Sequence, residues 1–265
     1  MSGILIQGRL VHYESFGRGQ PVIFVHGWLG SWRYWVPVMD EISTDRRAYA
    51  LDLWGFGDSD KGAEQYEIGA YVDQCTAFMD ELGISKAPFV GHTLGAAIAL
   101  RLAERHPERV EKIMAVGLPL SADAINRKLL SAGSNDTLSR LFWRRQKPYR
   151  EVEMGLSKTA QNAIALTVQS VARLDLRELL QDLNVPLLTV YGDRDTVVNP
   201  DQAGALDSAK LHSTARAIVL PGTSHFPMLD ATVKFNRLLR DLLDISCGSE
   251  LSRLTIKEEW RRRTH

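Results

Sequence analysis

The sequence predicts an α/β fold, a mostly parallel central sheet with helices on both faces. Three observations predict it. Short, nearly continuous apolar runs recur along the chain, as in strands covered on both faces. Between them lie longer stretches with apolar residues three and four apart, the helical period. The composition, 45% hydrophobic and 24% charged over 265 residues, is that of an ordinary globular chain able to bury a full core.

In chain order, residues 4–10 and 11–15 read as an opening hairpin turned at Gly8-Arg9. The buried-strand candidates are 21–26 (PVIFVH), 48–53 (AYALDL), 88–92 (PFVGH), 112–116 (KIMAV), 187–191 (LLTVY) and 215–220 (ARAIVL). Helical spacing marks 66–82, 94–104, 200–209 and 232–244, with Asn199 capping Pro200 at a helix start. From 121 to 172 no strand candidate occurs, so this stretch is expected to be a helical insertion over the carboxyl edge of the sheet, where open α/β sheets bind ligands. The expected division is a core of 1–120 and 173–247, the insertion 121–172, and a charged C-terminal tail 248–265 that is either loose or packed on the body.

Several function classes lack support. Formal net charge is zero, which gives no electrostatic case for nucleic acid. The two cysteines, Cys75 and Cys247, are far apart and without metal-like spacing, so no metal site, cofactor or disulfide framework is expected. No apolar run approaches membrane-span length, and the opening residues do not form a signal peptide, so a cytoplasmic location is the expectation.

Chemistry concentrates at the ends of four strand candidates. Gly91-His92-Thr93-Leu94-Gly95 joins a strand to the helical stretch LGAAIALRLAE. So sharp a turn lifts its central side chain to the top of the sheet and needs tiny neighbours two residues either side. Upstream, His26-Gly27-Trp28-Leu29-Gly30-Ser31 ends another strand. Downstream, Gly192-Asp193-Arg194-Asp195 follows LLTVY, and Pro221-Gly222-Thr223-Ser224-His225-Phe226-Pro227 follows ARAIVL.

Together these motifs resemble those of the α/β-hydrolase-fold superfamily, from about residue 22 to 243 outside the insertion. The resemblance implies a nucleophile elbow at Thr93, where that superfamily normally carries serine, and makes the insertion a lid. It implies Asp195, three residues after its glycine, as the acid, and His225 as the histidine, in the chain order nucleophile, acid, histidine. It also implies an oxyanion hole of the Trp28 and Leu94 backbone N–H groups, with Trp28 and Phe226 at the substrate pocket.

Other residues have plainer assignments. Asp52 and Ser59 are expected to hold a turn, His26 and His92 to pack and hydrogen-bond, and His12, His106, His212 and His265 to lie at the surface. The insertion carries eight basic against four acidic residues, with Leu141, Phe142 and Trp143 beside them. That pattern fits a solvated face or a lid that meets anionic substrates or a membrane surface.

Threonine leaves two functions open. A hydroxyl activated by His225 and oriented by Asp195 would hydrolyse a small-molecule ester, thioester or related acyl substrate. Its methyl, however, strains a positive-φ turn and restricts χ1, which fits a noncatalytic binder or assembly factor. Oligomeric state is not encoded in any motif.

Overall fold

The computed structural model describes residues 2–28, 30–62, 66–130, 149–208, 214–246 and 248–256. Its eight strands are β1 (Ser2–Ile6), β2 (Arg9–Gly17), β3 (Gln20–Val25), β4 (Arg46–Leu51), β5 (Ala87–His92), β6 (Val110–Val116), β7 (Leu187–Gly192) and β8 (Ala215–Leu220). They form one sheet in the order β1-β2-β4-β3-β5-β6-β7-β8. The pairs β1/β2 and β2/β4 are antiparallel, and every pair from β4/β3 to β7/β8 is parallel. Strands β5 and β7 are buried along their whole length, as continuous apolar runs require when helices cover both faces.

The strands follow the sequence reading, with ends displaced by a residue or two. The opening hairpin turns at Gln7-Gly8, one residue earlier than expected, with both at positive φ (52° and 76°) as a tight two-residue turn demands. The four anticipated helices are Ile68–Glu81, Leu94–Arg105, Gln202–Ser208 and Thr232–Asp244. Further helices span Val36–Ile42, Leu176–Gln181 and Pro227–Asp230. The first of these follows a 3₁₀ turn, Trp32–Trp35, and carries Pro37 in its first turn, where a missing N–H costs nothing.

Within 121–172 the described residues form Arg127–Leu130, Arg150–Ser157 and Ala163–Ala172. They pack against loops that leave the carboxyl ends of the strands. The Ala160 N–H donates to Gly55 O at 2.7 Å, and Lys158 Nζ donates to Asp58 at 2.5 Å. The Tyr149 hydroxyl donates to Asp230, beyond β8. A Cβ on Gly155 would lie 3.0 Å from the carbonyl carbon of Gly30, so helix and loop touch backbone to backbone. Arg140, Leu141, Phe142, Trp143, Arg144, Arg145 and Lys147 lie outside the described residues.

The start of the charged C-terminal segment packs on the body. Its 3₁₀ turn Gly248–Arg253 runs beside β8, Leu251 and Leu254 are buried, and Arg216 donates to Ser252 O. Lys112 is buried with its ammonium donating to Leu243 O (2.9 Å) and Ile245 O (2.8 Å), at the C-terminal end of the helix Thr232–Asp244. Such a cation is tolerated because carbonyl oxygens at a helix C-terminus receive it.

Candidate active site

At the end of β5 the chain turns directly into the helix Leu94–Arg105, and Thr93 sits in the turn with φ 45° and ψ −99°. The glycines on either side have no room for side chains. A Cβ on Gly91 would lie 2.4 Å from Gly95 O, and one on Gly95 would lie 2.2 Å from Val25 O. The turn is held by hydrogen bonds from Thr93 N to Val116 O (2.8 Å) and from Ala97 N to Thr93 O (3.0 Å). A β-branched residue at positive φ is a costly conformation, of order 1–3 kcal/mol.

The loops after β7 and β8 bring Asp195 and His225 together. His225 Nδ1 donates to both carboxylate oxygens of Asp195, at 2.8 and 3.0 Å. Both side chains are buried. The carboxylate also accepts the N–H groups of Val197 (2.7 Å) and Val198 (3.1 Å), which fix its plane. Asp193 does not join this pair; it accepts the Thr223 N–H at 3.1 Å and ties the acid loop to the histidine loop. Ser224 is engaged with Asp230 through both its N–H and its hydroxyl.

The Thr93 methyl and this pair border the same small space beside Gly117. A Cβ placed on Gly117 would lie 3.4 Å from Thr93 Cγ2, 3.6 Å from Asp195 Oδ2 and 3.8 Å from His225 Cε1. The hydroxyl faces the loop after β3, where a Cβ on Gly27 would lie 2.1 Å from Thr93 Oγ1. Among the described residues Thr93 Oγ1 is buried and makes no hydrogen bond. Trp28 follows Gly27 in the chain and Leu94 follows Thr93. The hydroxyl of Thr93 thus borders Gly27 and its methyl borders Gly117.

Of the two pocket candidates, Phe226 is enclosed by rings. Its centroid is 5.1 Å from His225, 5.3 Å from His92, 5.9 Å from Tyr34 and 6.2 Å from Tyr149. Trp28 is also buried. A cavity of about 330 Å³ opens beside the acid loop, lined by Asp123, Ile125, Asn126, Arg127, Asp195 and Thr196 among others, and neither Trp28 nor Phe226 lines it.

The supporting residues explain why the loops hold. Asp52 accepts the N–H groups of Trp32 and Asp58, each at 2.8 Å, and Ser59 Oγ donates to Asp52 O at 2.7 Å, making the turn role. His26 Nδ1 donates to Gly27 O (2.9 Å) while its Nε2 accepts the Leu53 N–H (3.0 Å); burial pushes its pKa down. His12 departs from expectation. It is 5% exposed, between Glu14 (3.4 Å) and Asp52 (3.3 Å), because the sheet and Trp32 cover it. Residues His212 and His265 lie outside the described residues.

A family model described as the alpha/beta hydrolase fold matches residues 20–174. The chain belongs to the α/β-hydrolase-fold family. Among curated relatives, this α/β-hydrolase-fold chain is 26% identical to the pimeloyl-[acyl-carrier protein] methyl ester esterase of Aeromonas hydrophila, over 86% of this chain and 97% of that one. A shorter match, 37% identical, is to 2-hydroxymuconate semialdehyde hydrolase from a Pseudomonas species, covering 43% of this chain and 42% of that one. A third, 26% identical over 88% of this chain, is to the dihydrolipoyllysine-residue acetyltransferase component of the acetoin cleaving system of Pseudomonas putida, of which it spans 66%. In structure it is similar to the enol-lactonase of Burkholderia xenovorans (TM-score 0.80, 21% identity, 92% of this chain and 100% of that one). Among the described residues no helix is long and apolar enough to cross a membrane.

Sequence reasoning did not single out Tyr34. Its hydroxyl accepts the Gly27 N–H at 2.6 Å and contacts His92 Nδ1 at 3.1 Å. The run WRYW carries three aromatics, of which the 3₁₀ turn Trp32–Trp35 buries Tyr34 and Trp35, and nothing in the run marks Tyr34 as the one that meets His92.

Proposed function

We propose that this chain hydrolyses a small-molecule carboxylic ester, thioester or related acyl bond. Thr93 is the nucleophile, His225 the general base and Asp195 the group that orients the imidazole. One observation carries the reading: a buried imidazole–carboxylate pair, its carboxylate fixed by two further N–H donors, borders the same small space beside Gly117 as the strained elbow residue Thr93. A site with no proton to move has no need of such a pair. Relatives named as methyl ester esterase, semialdehyde hydrolase and enol-lactonase support the reaction class.

In the proposed reaction His225 takes the Thr93 proton as the oxygen attacks the acyl carbon. Charge then develops on the carbonyl oxygen, toward the N–H groups of Trp28 and Leu94; each such donor is worth about 3–4 kcal/mol in a water-excluded site. His225 returns the proton to the leaving group, and water, activated by the same imidazole, releases the acyl group from Thr93. In this proposal attack requires one χ1 step, in which a 120° turn about Cα–Cβ brings the hydroxyl into the slot beside Gly117 now held by the methyl. The insertion 121–172 acts as the lid over this site. For its basic stretch, flotation with anionic vesicles at low and high salt tests the membrane alternative.

The orientation of the methyl favours one second reading, a noncatalytic binder or assembly factor in which the hydroxyl stays turned away. Fluorophosphonate labelling and aryl-ester hydrolysis, from acetyl to decanoyl, separate the two on wild type, Thr93→Ala and Thr93→Ser. The proposal expects labelling in wild type and Thr93→Ser and none in Thr93→Ala. Unchanged turnover in Thr93→Ala removes the nucleophile role, and no turnover in Thr93→Ser establishes the noncatalytic reading.

A further inference from the structure

Four buried groups run from the loop after β3 to the loop after β8. The Gly27 N–H donates to the Tyr34 hydroxyl oxygen at 2.6 Å, and that oxygen lies 3.1 Å from His92 Nδ1. On the far side of the ring, His92 Nε2 lies 2.9 Å from the carbonyl oxygen of His225. A carbonyl can only accept, so Nε2 carries the proton. The neutral ring then accepts at Nδ1, and the Tyr34 O–H points at it. Every proton in the chain is thereby placed: the Gly27 N–H donates, Tyr34 and His92 each accept once and donate once, and the His225 carbonyl accepts. The ring also lies against the His225 imidazole, tilted by 49° with centroids 4.6 Å apart, and Phe226 packs against it at 5.3 Å.

We propose that Tyr34 and His92 are positioning residues, a rigid buried bridge that sets the Gly27–Trp28 side of the site in register with the base His225. The proposal rests on the hydrolase reading above. The two loops it joins are 198 residues apart in sequence (225 − 27), and in the proposed reaction the developing oxyanion must meet N–H groups on one while its proton carrier sits on the other. Donors misplaced by an ångström lose most of their effect, because the field they supply is specific to one geometry. A polar chain with all partners satisfied is stiff in a low-dielectric interior, where any break leaves an unpaired buried group. His92 also has to stay uncharged, since a cation 4.6 Å from His225 would oppose formation of the imidazolium. Burial, and then the neighbouring His225, hold its pKa well below the ordinary histidine value.

Tyr34→Phe removes only the hydroxyl and keeps the ring among Trp35, His92 and Phe226. In aryl-ester hydrolysis it is expected to lower kcat at least tenfold with KM within twofold. His92→Leu should do the same, and His92→Gln, which keeps an N–H for the His225 carbonyl, should recover part of the loss. An unchanged kcat in Tyr34→Phe overturns the proposal, as does a loss carried by KM alone. If Tyr34→Phe does not fold, the comparison of His92→Leu with His92→Gln decides by the same criteria. A second readout needs no turnover: ¹⁵N-detected histidine signals should show a neutral Nε2–H His92 from pH 5 to 8, with His225 ring signals displaced in a bridge variant. Unmoved His225 signals overturn the bridge. Displaced signals in the variant, together with no ester hydrolysis by the wild-type protein, overturn the hydrolase reading and leave the bridge intact.

Discussion

Thr93→Ser is the perturbation that weighs the elbow most directly. It deletes one methyl and keeps the hydroxyl, at a residue that is fully buried with φ 45°. Two opposing terms can be set out. Removing the branch at a positive-φ position relieves part of a strain of order 1–3 kcal/mol. Removing a buried methyl costs about 1 kcal/mol in lost transfer free energy and packing. The net is a gain of about 1 kcal/mol at most, or about 2–4 °C in melting temperature for a domain of this size. The kinetic consequence is larger. In Thr93 the slot beside Gly117, Asp195 and His225 holds Cγ2, whereas a serine hydroxyl reaches that slot with no methyl to relocate. Ester hydrolysis is therefore expected to rise at least tenfold in the variant. Melting temperature and esterase rate, measured on the same two proteins, check both terms. A fall of more than about 3 °C with no gain in hydrolysis would refute the reasoning, because it would mean the methyl is a packing group in a relaxed site.

Three further outcomes are expected. Gly27→Ala should abolish fluorophosphonate labelling and cost about 1–3 kcal/mol, since its Cβ would lie 2.1 Å from Thr93 Oγ1 and 2.9 Å from His92 Nδ1; chemical denaturation and labelling of the same sample check it. His26 and His92, whose pKa values burial pushes down, stay neutral in the native state below pH 6.5 while the unfolded chain takes up protons. Stability should therefore fall on acidification below about 6.5, by about 1.4 kcal/mol per pH unit for each ring, and urea midpoints that stay constant from pH 7.5 to 5 would contradict this. At Asp58 burial acts to raise the carboxyl, but the hydrogen bonds from Lys158 and Arg33 outweigh it and hold the pKa at about 2. Its folded pKa lies below the unfolded one, so its contribution, about 1 kcal/mol after solvent screening, is present above pH 4 and lost as pH falls toward 2; the stability difference between wild type and Asp58→Asn should vanish over that range.

What could be read from the sequence was whatever a local rule determines. Gly91 and Gly95 were legible because a strand-to-helix turn leaves no room for Cβ, and the distances of 2.4 and 2.2 Å give the reason. The strands were legible because a doubly covered strand has to be apolar throughout, and their ends were less so because Asp52 leaves β4 to hold a turn. His12 was misplaced at the surface because nothing in its neighbours reveals that Trp32 folds over it. Tyr34 was missed because its role depends on Gly27 and on His92, 58 residues away. The direction of the Thr93 hydroxyl belongs to the same class. Branching restricts χ1, but which rotamer is occupied depends on Gly27 and Gly117, two glycines that leave space on opposite sides of the residue.

The retention of a costly arrangement is the strongest reason to keep chemistry in view. A buried carboxylate is expensive unless paired and hydrogen-bonded, and Asp195 is given three partners, His225, Val197 and Val198. A β-branched residue at φ 45° is a second cost, and the two lie against the same small space beside Gly117. Packing alone would be better served by an apolar pair at 195 and 225 and by a residue at 93 that tolerates the turn, because each replacement removes a penalty without opening a cavity. Penalties that are independent in origin but converge on one point are the pattern expected where geometry is held for reaction. Asp195→Leu combined with His225→Leu tests that directly. If the pair is there for chemistry, the double variant should be at least as stable as wild type and unable to hydrolyse ester, whereas a loss of stability above about 2 kcal/mol would assign the pair to the fold.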